Sequence, residues 1–280
     1  MRTLAREGYP VSRACALVGL PRSSYYYVAT EEPAELVDRV REVARAYTMY
    51  GSRRIAAELR REPYNLVINR KRVQTITRSE GLLRTRCSRG LRTTNSGHRL
   101  RRYPNLIKAH PATHPDHIWV ADITYIRLEH RFVYLAVVLD VYTRLVRGWY
   151  LGRRLDNSLS IGALCMALKQ GGPSIHHSDQ GVQYAALGYV AILEAHGAKI
   201  SMSAKSSPHE NGYAERFMRT IKEEEVYLSD YRSLEEARQQ IGHFITEVYN
   251  RKRIHSALGY LTPVEFEQAY HRTQAPLSEP

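Results

Sequence analysis

The chain has 280 residues, 43% of them hydrophobic, and sets 41 Lys and Arg against 28 Asp and Glu for a formal net charge of +13. Such a composition can bury a core and excludes a generically disordered polymer, and the length allows one large domain or two smaller ones. The positive surplus calls for a polyanionic partner; with no run of 18 apolar residues and no strongly apolar basic anchor helix, nucleic acid is favoured and a membrane is not.

The first residues, Met1-Arg2-Thr3-Leu4-Ala5-Arg6-Glu7, contain no apolar signal core. Cys15, Cys87 and Cys165 are odd in number and far apart. That pattern fits a reducing compartment and neither a disulfide framework nor a zinc site. A cytoplasmic, nucleoid-associated location is expected.

Residues 10–28 read as two short helices around a turn, with Ser12 as a cap for the first and Gly19-Leu20-Pro21 as its end. A helix-turn-helix and an ordinary helical hairpin fit this stretch equally well. Residues 35–47 form a clearer helix, because Leu36, Val37, Val40, Val43, Ala44 and Tyr47 recur at helical spacing. A second helix starts at Ser52 and is stopped by Pro63. A third runs from Asn69, its N-cap, to Glu80, with Gly81 as the stop. Val73 and Ile76 face inward on it. Arg70, Lys71, Arg72, Gln74 and Arg78 face other directions, as on a recognition helix in a major groove; Arg53 and Arg54 belong to the same basic unit.

The segment 84–102 holds Arg84, Arg86, Arg89, Arg92, Arg99, Arg101 and Arg102 and no acid. It reads as a flexible linker whose guanidinium forks lie along phosphates. His110, His114 and His117 stand among Pro111 and Pro115 with no Cys-x-x-Cys after them, so they read as solvated linker histidines and not as a metal cluster.

From about residue 117 the pattern becomes α/β. Strands are expected at 119–126, 132–139 and 145–151, joined by short turns and therefore antiparallel neighbours. Alternation puts Val120, Asp122 and Thr124 on one face of the first. The second is almost wholly apolar, which fits an interior place in the sheet. Asp140 ends it and shapes the turn before Thr143, and Asp156 caps a helix over about 158–169. A short strand at 174–177, a helix at about 185–196 and a strand at 198–203 follow. This is the ribonuclease-H-like order: a mixed five-stranded sheet flanked by helices, here preceded by all-α helix-turn-helix modules. A polar loop, 204–212, leads into a long helix at about 211–227, with Ala214, Phe217, Met218 and Ile221 as its buried stripe. Ser233-Leu234-Glu235-Glu236 and Thr262-Pro263-Val264-Glu265 are capping-box signatures that open two further helices.

Three acids stand apart: Asp122 in Trp-Val-Ala-Asp-Ile-Thr-Tyr-Ile, Asp179 in His-Ser-Asp-Gln-Gly, and Glu215 in Asn-Gly-Tyr-Ala-Glu-Arg-Phe, with 35 residues between the last two. A strand acid, a strand-end acid and a helix acid can converge on two divalent cations, an arrangement suited to in-line chemistry at a phosphodiester. Lys205, Arg216, Arg219 and Lys222 flank the third acid and are placed to hold phosphates. Arg219 also stands four residues after Glu215, where the two can pair on the helix surface. Glu223, Glu224 and Glu225 read as solvated helix surface.

In these motifs the chain resembles the retroviral-integrase-like transposases of bacterial insertion sequences, and most closely the downstream (OrfB) product of the third insertion-sequence family. The stretch from Tyr50-Gly51-Ser52 to Glu80-Gly81-Leu82 is similar to that family's helix-turn-helix module. Asn250-Arg251 with His255-Ser256-Ala257-Leu258-Gly259-Tyr260 and Thr262-Pro263 is similar to its C-terminal signature. The resemblance covers most of the chain. It implies strand cleavage and strand transfer at insertion-sequence ends, with Asp122, Asp179 and Glu215 as the catalytic acids on two magnesium ions, for which manganese substitutes. It implies double-stranded DNA as partner (terminal repeats and target), a homo-oligomer on that DNA, and an upstream OrfA-type protein or a frameshift fusion with it. The chain departs from the family in carrying Glu210-Asn211 where many members have Asp-Asn, so Glu210 competes with Glu215 for the third role; the 35-residue spacing favours Glu215.

The resulting division is a helical DNA-binding region at 1–84, a basic linker at 85–112, a catalytic core at 113–228, a helical extension at 229–272 and a flexible tail at 273–280. Two other readings share these residues: an RNase-H-type endonuclease without transfer, and a non-catalytic repressor derived from a transposase.

Overall fold

The computed structural model describes residues 2–27, 32–82, 100–108, 111–204 and 207–274. The chain begins with three short helices, α1 (Arg2–Arg6), α2 (Val11–Leu17) and α3 (Arg22–Tyr26). The first was not foreseen. Ser12 is not the cap of α2: Pro10 holds that place, with no side-chain capping bond. The fixed φ of the proline ring already directs the chain into the helix at Val11, so Ser12 falls inside it.

Helices α4 (Ala34–Ala46), α5 (Ser52–Glu58) and α6 (Arg70–Ser79) form a second helical unit. Asn69 Oδ1 accepts from Lys71 N at 2.9 Å, the cap read from the sequence. Gly81 takes φ +66°, a left-handed stop open to glycine at no steric cost. Val40, Val43, Tyr50, Ile55, Leu59, Val73 and Ile76 make the core of this unit, and the far end of the chain completes it: Ile254 is buried among them and Tyr260 packs against them. The Ile254 N–H donates to Tyr50 Oη at 2.9 Å, and Arg61 pairs with Glu265.

The second half forms one sheet in the order β3-β2-β1-β4-β5. The strands are β1 (Ile118–Arg127), β2 (Phe132–Asp140), β3 (Val146–Gly152), β4 (Ile175–Ser178) and β5 (Lys199–Met202). The β1–β2 and β2–β3 pairs are antiparallel, and the β1–β4 and β4–β5 pairs are parallel. Alternation along β1 divides the core. Ile118, Val120 and Ile126 face one apolar layer, with Ala214, Phe217 and Ile221 of α10 (Gly212–Glu224) and Ile241 of α11 (Leu234–His243). Trp119 and Ala121 face the other, with Leu159, Ala163 and Ala167 of α7 (Asn157–Leu168). Helix α7 rides so close on β3 that a Cβ at Gly148 would lie 2.2 Å from the Ala163 carbonyl oxygen.

Asp156 caps α7 through Ser158 N at 3.1 Å. Asp140 accepts from Tyr142 N and Thr143 Oγ1, both at 2.9 Å, which builds the turn expected of it. The helix expected at 185–196 is two, α8 (Val182–Ala185) and α9 (Leu187–Ala195), divided at Ala186, whose backbone is extended. The helix expected to reach 227 stops at Glu224, where Glu225 leaves helical geometry. Both capping boxes form: Ser233 Oγ accepts from Glu236 N, and Thr262 Oγ1 from Glu265 N. The second opens α12 (Pro263–Gln274).

Two expectations about the connecting region change. His114 and His117 are half-buried and stacked 4.8 Å apart at the entrance to β1, and are not solvated linker histidines. The end of the expected linker is part of the core: Tyr103, Leu106 and Ile107 pack on it, and Leu106 N donates to Ser201 Oγ at 2.9 Å. Apolar side chains at 103, 106 and 107 gain more from the sheet than from water.

Candidate functional site

The parallel register between β1 and β4 matches Ile118 with Ile175, Trp119 with His176 and Val120 with His177. The same offset, carried two residues on, brings Asp122 level with Asp179, just beyond the end of β4. Neighbouring strands lie about 4.8 Å apart, so the two carboxylates share one edge of the sheet. Glu215 joins them from the first turn of α10. The buried stripe Ala214, Phe217 and Ile221 sets the roll of that helix on the sheet, and Glu215 stands exposed beside the stripe. The helix start is pinned by Asn211, whose Nδ2 donates to the Ala121 carbonyl, one residue before Asp122, at 3.1 Å.

Backbone bonds orient the two aspartates. Asp122 Oδ1 accepts from Ile123 N at 2.8 Å, and Asp179 Oδ1 from Gly181 N at 2.9 Å. The Asp122 carboxyl is pushed up from its ordinary 3.8 to about 7, first by burial, then by the charges of Asp179 and Glu215, with the Ile123 N–H and Lys222 opposing. Lys222, two turns along α10 from Glu215, is lowered by burial while Asp122 draws it back up. The three acids and Lys222 therefore lie in one field.

Among the described residues no three His, Cys, Asp or Glu side chains close into a metal cage. The donor set nonetheless fits a hard divalent cation: carboxylate oxygens only, with no thiolate or imidazole. The crowding of negative charge at Asp122 is what such a cation relieves. His176 and His177 lie next to Asp179 in sequence but are held as neutral core groups. Nε2 of the first is 2.9 Å from Tyr189 Oη and Nδ1 of the second is 2.8 Å from Ser201 Oγ. Burial pushes them down to about 3 and about 4.

Glu210 is engaged elsewhere. Its Oε2 accepts from Ala204 N at 2.7 Å and from Asn105 Nδ2 at 2.9 Å, and Lys108 stands 3.6 Å from Oε1. Those bonds hold its carboxyl below the ordinary range and fasten the loop ahead of α10 to residues 105–108.

The basic candidates divide. Arg53, Arg70, Lys71 and Arg78 are exposed on the second helical unit, with Gln74 half-buried between them. Arg72 pairs with Glu32 at 2.6 Å. Arg54 turns inward, 3.9 Å from Glu224 on α10. Arg216 and Arg219 are exposed, and Lys222 is half-buried towards Asp122. Arg84, Arg86, Arg89, Arg92 and Lys205 lie outside the described residues. Two residues near the site were not foreseen. The Tyr184 hydroxyl is buried without a hydrogen-bond partner among the described residues and lies in the field of Asp122 and Asp179. Arg144 lies 3.9 Å over the ring of Tyr213, on α10 beside Glu215. A Tyr in a Val-Gln-Tyr-Ala helix and an Arg in a hairpin turn carry no local signal of such a position.

Residues 31–90 match a family model described as an HTH-like domain, and residues 112–208 and 196–263 match two described as integrase core domains. The uncharacterized 31 kDa protein of insertion element IS600 from Shigella sonnei is 36% identical over 93% of this chain and 100% of its own length. The transposase InsF of insertion sequence IS3A from Escherichia coli K12 is 36% identical over 80% of this chain and 78% of its own. Among solved structures, the HTLV-2 integrase catalytic core domain in complex with magnesium is 18% identical, with a TM-score of 0.44 over 55% of this chain and 97% of that one.

Proposed function

The chain belongs to the IS3 family of insertion-sequence transposases and carries an integrase catalytic core, and from that premise we propose that Asp122, Asp179 and Glu215 are its catalytic acids and hold two magnesium ions. The observation that carries this reading is the convergence of the three acids, Asp122 and Asp179 through the β1–β4 register and Glu215 from the first turn of α10, and the upward shift of the Asp122 carboxyl by burial and by the other two charges agrees with it. Ordinary surface carboxylates do not crowd in this way.

Held by these three acids, two such ions would supply Lewis-acid chemistry for in-line attack at a phosphodiester by water or a DNA 3′-hydroxyl. The chain's own groups do the rest. The Ile123 and Gly181 N–H groups fix the aspartate rotamers. Asn211 holds the first turn of α10, and so Glu215, against β1. Lys222 offsets part of the negative charge at Asp122. Arg219, exposed on the same helix, is the candidate for a phosphate contact beside the scissile bond. This route needs no tyrosine nucleophile and no covalent protein–DNA bond.

End recognition is assigned to residues 1–84, with Arg53, Arg70, Lys71, Gln74 and Arg78 as groove or phosphate contacts, and catalysis to the core from about residue 113. The arginines of 84–92 and Lys205 add phosphate contacts. The active form is an oligomer on DNA, alone or with an upstream OrfA-type partner. The test is strand transfer in vitro with magnesium and a labelled insertion-sequence end. Joined product is expected. Cleavage without joining would reduce the protein to an endonuclease, and binding without cleavage would reduce it to a repressor.

A further inference from the structure

An unbalanced concentration of positive charge lies where four parts of the chain meet. Arg54 comes from α5, Arg144 from the β2–β3 turn, Arg216 from α10, and Arg253 from the segment that leads to His255. Arg253 donates through Nε and Nη2 to the two Glu224 carboxylate oxygens, at 2.8 Å each. Arg54 is 3.9 Å from the same carboxylate and 5.4 Å from the centre of the Tyr50 ring. Arg144 stacks on Tyr213, and its Nη1 is buried with no hydrogen-bond partner among the described residues. Arg216 is exposed and, among the described residues, makes no ion pair closer than 4.0 Å. His255 sits between, 5.1 Å edge-to-face from Tyr249, with Arg253 Nη1 3.3 Å from its Nε2.

Four guanidiniums thus gather around one imidazole, and the acid paired among them, Glu224, is already engaged in the fork of Arg253. The His255 ring is pushed down to about 2, first by burial and then by the charges of Arg253, Arg54, Arg144 and Arg216 in that order. Arg54 is pushed down to about 10, by burial and then by Arg253. Like charges held this close at a half-buried site repel unless an anion joins them. Planar forks suit tetrahedral oxyanions, and an unpartnered buried N–H is a donor in search of an acceptor.

We propose that Arg54, Arg144 and Arg216 form a binding site for one backbone phosphate of DNA, seated between the helical unit and the catalytic core beside Glu215, with Arg253 locked on Glu224 behind them. DNA as the source of the phosphate rests on the function proposed above. The site goes beyond that function: it ties the unit that reads the DNA end to the core that cuts it, because Arg54 belongs to one and Arg144 and Arg216 to the other. It also gives the C-terminal Arg253–His255 segment a task. His255 stays neutral there and packs the arginines at a fixed spacing without adding to their repulsion.

The experiment is a salt titration of binding to a duplex insertion-sequence end, by fluorescence anisotropy in magnesium-free buffer, with wild-type protein, Arg216→Gln and Arg144→Gln/Arg216→Gln. Arg216 is exposed and in no ion pair among the described residues, so its variant keeps the fold even if Arg144→Gln does not. One lost phosphate contact makes the log–log slope shallower by about 0.9, and that loss is expected in the double variant and part of it in Arg216→Gln. In parallel, inorganic phosphate should raise the melting temperature of the wild type more than that of Arg216→Gln. Unchanged slopes overturn the proposal. Phosphate-dependent stabilisation with unchanged slopes would mean a site for free phosphate and not for DNA, and overturns it equally. The slopes are read without metal or cleavage, so failure of the acid assignment, which shows only in cleavage, is distinguishable from failure here.

Discussion

Replacing Asp122 by Asn should stabilise the protein in the absence of metal while abolishing its chemistry. The carboxyl is displaced from 3.8 to about 7, which at roughly 1.4 kcal/mol per pH unit corresponds to about 4 kcal/mol as an upper bound on the cost of the ionised form in the folded state. Asn keeps the shape and can keep the acceptor for Ile123 N, and it carries no charge. The sign follows from linkage. Because the folded value lies above the unfolded one, the advantage of the protonated form is complete below about pH 4 and is lost as pH rises through about 7. Wild type should therefore lose stability across that window, and Asp122→Asn should not. Some of the 4 kcal/mol is recovered by relaxation, so a gain of roughly 1–3 kcal/mol at pH 8 is expected, a rise of several degrees in melting temperature. The assay is thermal unfolding in EDTA from pH 5.5 to 8.5. Magnesium should then reverse the order by stabilising wild type alone. An Asn variant no more stable than wild type at pH 8, or a gap that does not narrow towards pH 5.5, would refute the crowded-carboxylate picture.

Asn250→Ala should cost about 2–4 kcal/mol in denaturant unfolding, because Asn250 Oδ1 accepts from Val146 N and its Nδ2 donates to Val146 O inside the protein, and both backbone groups would be orphaned. Gly148→Ala should destabilise by about 1–3 kcal/mol, read as a lowered denaturation midpoint, since α7 must retreat from its contact at the Ala163 carbonyl. Tyr184→Phe should leave metal-free stability unchanged or raise it, because the hydroxyl it removes has no partner among the described residues; a clear loss of melting temperature would show that the hydroxyl is bonded.

Much of the sheet could be read from the chain because its signals are local. Alternation along 118–127 fixed which face Asp122 takes, and the apolar run of 132–139 fixed β2 as an interior strand. The caps at Asn69, Asp156, Ser233 and Thr262 need only two or three neighbouring residues, and all four form. The stripe Ala214, Phe217, Met218 and Ile221 gave the roll of α10 and therefore the edge on which Glu215 stands. What escaped depends on residues far apart in sequence. Nothing near Tyr50 shows that Ile254 will bond it and finish its core. Arg54 reads as one more exposed base until Glu224 appears opposite it. The division of α8 from α9 at Ala186 has no proline to mark it, and the nearby Gly188 lies inside α9. Spacing and helical face favour Glu215 over Glu210 in the sequence; the bonds from Ala204 and Asn105 give the physical reason that Glu210 is occupied.

The most direct test of the three-acid account is magnesium-dependent cleavage of a labelled insertion-sequence end by Asp122→Asn, Asp179→Asn, Glu215→Gln and Glu210→Gln, with DNA binding by gel shift measured on the same preparations. The first three should bind DNA nearly as wild type does and cut it at least 1,000-fold more slowly, a loss of about 4 kcal/mol or more of transition-state stabilisation. Glu210→Gln should still cut, weakened only as far as its loop loosens. Robust cleavage by Glu215→Gln, with activity lost in Glu210→Gln, would contradict the assignment.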